Sequence, residues 1–257
     1  MRGRRGARPR SASFDPAQAL RRVWHALATV LLVAVIGGVG TGVWVFAQQL
    51  LSPEVHPVES VEVKGTIRHV RERDLFMALA PLLQQGYWGV RVHQAQSAIE
   101  ALEWVESALV RRSWPGRLIV SVREHEALAR WSDDGLVTVD GLIFRPPAET
   151  WPQGLALLEG NAAQATLLVE RYLDWRELLE ELGDAPLHIQ VDQRQSWRVL
   201  LNSGAMVELG RSDVEQRMRR FVDTAGLVLR ATDARIMTAD LRYPNGLAIR
   251  WHGDDGN

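Results

Sequence analysis

An uncharged run from Val23 to Pro53 limits what this chain can fold into more than any other feature of its sequence. The apolar centre of the run, Leu27–Phe46, supplies the ~20 residues that an α-helix needs to cross ~30 Å of hydrocarbon. Hydrocarbon offers no water to unpaired backbone groups, so such a run crosses as a helix. Trp24 and Trp44 lie near its two ends, where amphipathic rings favour the membrane interface. We therefore predict a transmembrane region at 23–52.

The charges around the run predict its orientation. Residues 1–22 carry seven Arg and one Asp, so this tail has a charge of +6 in a chain whose net charge is −1. Because basic residues collect on the cytoplasmic side of a span, the tail is predicted to be cytoplasmic and the bulk of the chain extracytoplasmic. A basic tail is also typical of nucleic-acid binding, but this one directly adjoins an apolar run. The pattern indicates a single-pass membrane protein without a nucleic-acid partner.

A cleaved signal peptide is the alternative interpretation of the same run. Such a peptide has an apolar stretch of about 7–15 residues, followed by a small-x-small cleavage site. The stretch here is longer, and Val45-Phe46-Ala47 does not fit a cleavage site. We therefore predict an uncleaved anchor.

Glycines inside the run suggest a packing surface. Gly38 and Gly42 form a small-xxx-small pair, which predicts contact with another membrane helix, although an incidental glycine cluster is equally compatible. A phosphate-binding loop is excluded, because it requires a preceding strand and a Lys-Ser or Lys-Thr pair.

Hydrophobic periodicity predicts a compact α/β unit after the membrane. A strand, two helices and two strands follow in order: Val58–Val63, Arg71–Ala80, about Gln94–Glu103, Val105–Arg112 and Arg117–Glu124. The apolar stripe of the first helix continues to positions 82 and 83, and Pro81 and Gly86 are expected to close it. Ser113–Gly116 suits a type II turn, since Pro and Gly occupy its central positions.

Two motifs in this part of the chain resemble those of a known family. Arg112-Ser113-Trp114-Pro115-Gly116-Arg117-Leu118 and Glu124-His125-Glu126-Ala127-Leu128-Ala129-Arg130-Trp131 are similar to the FtsQ/DivIB family of bacterial division proteins. The resemblance implies a POTRA module at 57–126, a second domain at 127–251 and a polar tail at 252–257. It also implies an inner-membrane protein with a periplasmic bulk.

The second domain is predicted to be α+β, with a mostly antiparallel sheet. Asp140-Gly141 predicts a hairpin within Leu136–Phe144, and Leu155–Leu158 is a short apolar run. Helices are expected at about Gln164–Leu182 and Ser212–Arg230, the second opened by a Ser212/Glu215 capping box. The remaining strands are His188–Val191, Trp197–Leu201, Met206–Leu209, Ile236–Tyr243 and Leu247–Trp251.

The sequence contains no recognisable catalytic motif. The absence of cysteine excludes disulfides, thiolate metal sites and a thiol nucleophile. The seven His lack zinc-protease spacing, and there is neither a nucleophile elbow nor a P-loop. His125 lies between Glu124 and Glu126, but neighbours on a strand point to opposite faces. We predict a protein that is not an enzyme and takes no cofactor or metal.

The last predicted strand, Leu247–Trp251, is the candidate binding site. Only the tail 252–257 follows it, so it is expected to be an edge strand that accepts a strand from another protein. The resemblance implies that FtsB, in a complex with FtsL, binds here. The predicted contacts are Arg194, Arg242, Tyr243, Asn245, Gly246, Leu247, Ile249 and Trp251.

Alternatives remain for the residues of this site. Arg194 would pair with an acidic residue of the partner, and Tyr243 and Trp251 would be aromatic anchors. For Arg194 and Arg242, solvated surface charges are an equally good interpretation. For Tyr243 and Trp251, the alternative is a place in the core. Pro244-Asn245 departs from the Asp-Ser often found in the family, which puts side-chain contacts at this turn in doubt.

The function implied by the resemblance is that of a scaffold at the division septum. It would link early and late divisome components and help to control septal peptidoglycan assembly. FtsK and septal synthase components would contact the POTRA module or the membrane helix. A membrane-anchored POTRA chaperone and a membrane-anchored cell-wall enzyme are the rival functions, although such chaperones usually carry repeated modules and a barrel.

Overall fold

The computed structural model describes residues 16–51, 56–231, 235–243 and 246–252. Its first element is helix α1, Pro16–Leu51, which contains an apolar segment Leu27–Gln49 of mean hydropathy 2.2. The described side chains of this segment are exposed, apart from half-buried Ala47. A helix that is apolar on all sides has no aqueous face, so it fits a single-pass membrane anchor. Residues 1–15 and 253–257, which include most of the two predicted tails, lie outside the described residues.

The POTRA module follows the anchor as a three-stranded sheet with helices on one face. Its elements are β1 Ser60–Lys64, α2 Glu72–Leu83, α3 Gly86–Gly89, α4 Val92–Glu100, β2 Val105–Ser113 and β3 Arg117–Glu124. β3 lies in the middle, parallel to β1 and antiparallel to β2. Leu75, Leu79, Ala95 and Ile99 are buried between the helices and the sheet. The predicted strand–helix–helix–strand–strand order is confirmed, with the one-turn helix α3 in addition.

Two local predictions for this module are wrong. Helix α2 continues through Pro81 to Leu83, because half-buried Leu82 and Leu83 pack on the module's core. The stabilisation from this packing offsets the loss of the backbone hydrogen bond that proline cannot donate. Ser113 pairs with Arg117, so the hairpin connection has three residues and contains a cis Trp114–Pro115 bond. A Pro-Gly pair does not distinguish this connection from a type II turn.

The described residues of the second domain form nine strands and two α-helices. The elements are β4 Ala129–Trp131, β5 Gly135–Val137, β6 Ile143–Phe144, β7 Leu157–Glu159, α5 Ala165–Glu180, β8 Pro186–Val191, β9 Trp197–Leu201, β10 Met206–Gly210, α6 Val214–Ala231, β11 Ile236–Asp240 and β12 Ala248–Trp251. The strand order is β12-β11-β10-β9-β8-β7-β4-β5-β6. Five neighbouring pairs are antiparallel and three are parallel. The predicted α+β fold is confirmed.

Helices α5 and α6 cover one face of this sheet. Leu168, Tyr172, Trp175 and Leu179 of α5 are buried at helical spacing, whereas Leu182, the predicted end of this helix, lies beyond it and is half-buried. Helix α6 begins at Val214, and its Glu215 does not follow the capping-box expectation: it accepts hydrogen bonds from Arg219 and Arg171.

Short strands at the other end of the sheet connect the two domains. β4, three residues long and not predicted, lies between β5 and β7. The β5–β6 hairpin is confirmed, but Asp140-Gly141 lies within a five-residue connection. Leu136 and Phe144 of this hairpin are buried in the hydrophobic cluster of the POTRA module. The first core therefore extends into the second domain.

Candidate functional site

Strand β12 lies at one end of the nine-stranded sheet. It is antiparallel to β11, with Asp240 opposite Ala248, Ala239 opposite Ile249 and Ile236 opposite Trp251. Within the part of the chain that the structure describes, β12 pairs with no other strand. Its outer backbone edge is therefore positioned to accept another strand.

Side chains alternate along this edge between the helix-covered face and the open face of the sheet. Leu247, Ile249 and Trp251 are half-buried and pack against the domain core, whereas Ala248 and Arg250 are exposed. The inner side chains stay half-covered because the sheet ends at β12. Trp251 is therefore part of the core and still offers apolar surface to a neighbour.

Tyr243 lies just beyond β11, after the buried residue Leu241. Its side chain is 58% exposed, so Tyr243 is not a core residue. A large exposed aromatic ring near an open sheet edge is the residue type that dominates protein interfaces.

Arg242 is held by carboxylates of its own chain. Its Nε and Nη2 donate to Asp240 at 2.9 and 2.7 Å, and Nη2 lies 3.2 Å from Glu208 Oε2. The hydrogen bond from Arg242 holds the pKa of Asp240 below its usual value, and Asp240 in turn raises the pKa of Arg242. The guanidinium thus joins the ends of β10 and β11, so Arg242 shapes the edge before any partner arrives.

Gly210, which no sequence pattern marks as part of the site, makes room for this arginine. Gly210 has φ +77°, and a Cβ there would lie 3.2 Å from Arg242 Cγ and 2.9 Å from Arg217 Nη1. Sequence alone gives no such signal, since β10 and β11 are brought together by the α6 crossover.

Arg194 is exposed in the turn between β8 and β9. Asp192 Oδ1 accepts from the backbone N–H of Ser196 at 2.9 Å and of Arg194 at 2.8 Å, which lowers the pKa of Asp192. The turn lies at the same end of the sheet as Arg242 and Gly246. Three strand spacings separate β9 from β12, about 14 Å in all. A strand added to β12 does not reach Arg194 without a flanking segment.

The remaining predicted site residues are Gly246 and Asn245 near β12 and Gly38 and Gly42 on α1. A Cβ at half-buried Gly246 would meet nothing within 4 Å, and the same holds for Gly38 and Gly42 on α1. Asn245 lies outside the described residues. The packing role of Gly38 and Gly42 stays a prediction.

Glu124, at the end of β3 in the POTRA module, has a structural role. Glu124 accepts hydrogen bonds from the backbone N–H groups of Arg68, His69 and Val70 and lies 3.0 Å from His69 Nδ1. His69 stacks on Trp104 with ring centroids 4.0 Å apart, and Trp104 Nε1 donates to Thr150 Oγ1 at 2.7 Å. These contacts lie at the junction of the two domains. The described residues contain no group of three or more acidic or His side chains that could hold a metal.

Comparisons with known proteins agree with this architecture. Residues 56–125 match the POTRA domain of FtsQ type, and residues 129–242 match the C-terminal domain of cell division protein FtsQ/DivIB. The chain belongs to the FtsQ/DivIB family. The family resemblance drawn from the two sequence motifs is thereby confirmed.

Individual FtsQ proteins match nearly the whole chain. Cell division protein FtsQ of Allochromatium vinosum is 38% identical over 88% of this chain and 89% of its own length. The FtsQ proteins of Coxiella burnetii and Shewanella oneidensis are 30% and 31% identical, over 88% and 89% of this chain and 89% and 86% of their own lengths. A general role in cell division follows from this membership.

Proposed function

We propose that this protein is a non-catalytic division scaffold whose β12 edge receives a strand from FtsB within an FtsB–FtsL complex. The observation that carries the proposal is the open edge of β12, with three half-buried apolar side chains on its inner face. An added strand would pair with the backbone and cover Leu247, Ile249 and Trp251. Tyr243 would contact the partner beside the strand.

The expected strength of this contact is modest. A four-residue edge offers about four outward backbone groups, each worth about 0.5–1.5 kcal/mol net when paired. Anchoring both proteins in one membrane raises their effective concentration, so modest contacts suffice. Arg194 would serve a segment of the partner that flanks the added strand, in a charge-assisted contact with a carboxylate.

The proposal includes the orientation of the chain in the membrane. Residues 1–22 would lie in the cytoplasm and the domains at 57–126 and 127–251 in the periplasm, at the division septum. The basic residues before α1 and the single apolar span support this orientation. The protein would link early and late divisome components, with FtsK and septal synthase components on the POTRA module or α1.

Binding of FtsB to residues 56–257 tests the edge. This fragment retains both hydrophobic clusters, none of whose residues precedes Val58. Tyr243→Ala and Trp251→Ala should each weaken binding by about tenfold or more, the loss expected for an aromatic anchor. Leu187→Ala is the matched control, because Leu187 is 44% exposed on β8, four strands from β12. Unchanged binding by both aromatic variants, with folding intact, would refute the proposed edge.

Two further measurements separate the rival functions. A tagged copy that collects at the septum supports a division scaffold, whereas a uniform envelope distribution supports a POTRA chaperone. Turnover of peptidoglycan fragments by the purified periplasmic part, lost on substitution of one polar residue, would establish an enzyme.

A further inference from the structure

Four aromatic rings gather where the POTRA module meets the end of the membrane helix. Trp88 of α3 and Trp114 of the β2–β3 connection have ring centroids 6.3 Å apart. Tyr87 lies 5.1 Å from Trp88 and 6.1 Å from Trp114, and His56 lies 6.4 Å from Trp114. Tyr87 is buried, but Trp88 is 46% and Trp114 is 64% exposed. Two large aromatic rings are therefore presented together to the surroundings.

The cluster is built by contacts between segments that are distant in sequence. The backbone N–H of Tyr87 donates to the carbonyl of His56 at 2.9 Å. The Arg112 guanidinium donates to the carbonyls of Trp88 and Val90, which ties the end of β2 to α3. The two tryptophans are thus fixed relative to each other by the backbone beneath them. We call Trp88, Trp114 and the segments that hold them the aromatic foot.

The position of the foot points to what it touches. α3 contacts α1, and Ala47 is half-buried whereas the described residues beside it on α1 are exposed. Ala47 lies two residues before the end of the apolar segment at Gln49, about 3 Å along the helix axis. Only four residues separate Leu51 from His56, so the foot stays near the end of α1. The headgroup layer on each side of the hydrocarbon is about 5–8 Å thick, so α3 reaches that layer.

The charges of the foot suit a phospholipid surface. Among the described residues, Arg91, Arg112 and Arg117 are exposed near the two tryptophans, and acidic Glu59 lies beside Gly116. Trp and Tyr rings favour the layer between hydrocarbon and water, and arginine binds the phosphate groups found there. A protein partner would have to enter the narrow space between the module and the bilayer.

We propose that the aromatic foot is a membrane-docking surface, which rests the POTRA module on the periplasmic leaflet of the bilayer. Trp88 and Trp114 insert at the headgroup level, and Arg91 and Arg117 face lipid phosphates. The module is then held by two attachments, α1 and the foot, and its orientation above the membrane is set. This docking does not depend on whether β12 binds FtsB.

The test uses the full chain in nanodiscs of phosphatidylethanolamine and phosphatidylglycerol. The chain has no cysteine, so Trp114→Cys carries a single nitroxide label, whose apolar ring takes the place of the indole while Trp88, Arg91 and Arg117 remain. Leu109→Cys is the matched control, because Leu109 is 59% exposed on β2, the strand that leads to Trp114, five residues earlier and about 17 Å away. The label at 114 should collide more with oxygen, which dissolves in lipid, than with a water-soluble nickel chelate. The label at 109 should show the opposite order.

A second variant tests whether the foot itself causes the docking. Trp88→Ser in the Trp114→Cys background should move the label towards the water-accessible values, while circular dichroism shows that the fold is kept. If the label at 114 is as water-accessible as the label at 109, the proposal is wrong. The foot would then be a binding surface for a soluble protein instead. An unchanged, lipid-facing label after Trp88→Ser would also overturn the proposal, because α1 alone would then fix the position.

Discussion

Replacing Glu124 by Gln should destabilise the POTRA module far more than the same change at Glu126, two residues along. The Glu124 side chain is 8% exposed and accepts hydrogen bonds from three consecutive backbone N–H groups, of Arg68, His69 and Val70, at 2.8–3.2 Å. Glu126 is exposed. The two variants therefore remove the same charge from two different environments.

The size of the effect follows from these contacts. A hydrogen bond to a charged group contributes about 1.5–3 kcal/mol, whereas a neutral one contributes about 0.5–1.5 kcal/mol. Three N–H donors that each lose about 1 kcal/mol give a destabilisation of about 3 kcal/mol. The amide nitrogen of Gln would also face N–H donors that it cannot pair with. In a chain of this size the thermal midpoint should fall by about 6–12 °C.

The pH dependence provides an independent check. Burial alone would raise the pKa of Glu124, but the N–H groups of Val70, His69 and Arg68 outweigh burial and lower the pKa. A carboxyl with a lowered folded-state pKa stabilises the fold above its unfolded value, about 4.3, and loses that contribution as pH falls through the folded value. The gap between wild type and Glu124→Gln should therefore be full at pH 7 and shrink below about pH 4.

Urea unfolding of residues 56–257, followed at several pH values, measures both effects. Asp192 and Asp240 also have lowered pKa values, but they are present in every variant and cancel in the comparison. Glu126→Gln should stay within about 0.5 kcal/mol of wild type, as is usual for a surface substitution. Equal stability of the two variants at pH 7, or a gap that persists unchanged to pH 3, would show that the N–H contacts do not stabilise the module.

Three further substitutions test the second domain. Gly141→Ala should cost about 3 kcal/mol in thermal unfolding, because φ is +81° and the new Cβ would lie 2.8 Å from Thr166 Cα; a change below 1 kcal/mol would contradict this. Asp240→Asn should cost about 1 kcal/mol at pH 7, a small value because Arg242 is 59% exposed, and because the fold lowers the pKa of Asp240 the difference should begin to shrink below about pH 4. Gly246→Ala should leave the thermal midpoint unchanged, since its Cβ meets open space, while weakening FtsB binding in titrations; full binding would remove Gly246 from the proposed contact surface.

Sequence patterns predicted the elements that have a regular period and enough length. Buried Leu168, Tyr172, Trp175 and Leu179 of α5 recur at helical spacing. The two POTRA hairpin strands are eight and nine residues long and alternate over part of that length, with Ala108 and Val110 buried on β2 and Val120 and Val122 buried on β3. β4 has three residues and was missed, because a period cannot be recognised over so short a segment. Its identity as a strand depends on its neighbours, β5 and β7, rather than on its own residues.

The candidate site was predictable in position but not in its internal contacts. The open edge followed from the place of Leu247–Trp251 at the end of the predicted strands. The pairing of Arg242 with Glu208 did not, since it requires β10 and β11 to lie side by side and parallel. The meeting of Trp88 with Trp114 likewise depends on how α3 packs against the hairpin. Long-range contacts of this kind leave no periodic signal along the chain.

The two proposed surfaces are connected by the width of the large sheet. β6, at one end, packs into the POTRA core, and β12 lies eight strand spacings away, or about 38 Å for an untwisted sheet. A tilt of about 10° at the POTRA module would then move the β12 edge by about 7 Å, more than the ~4.8 Å between paired strands. Strand addition by a partner anchored in the same membrane requires the edge to stay within that distance. A short linker after α1 does not by itself restrict such tilting, whereas a foot resting on the bilayer does. Docking of the foot would therefore increase the fraction of time in which the edge is positioned to bind.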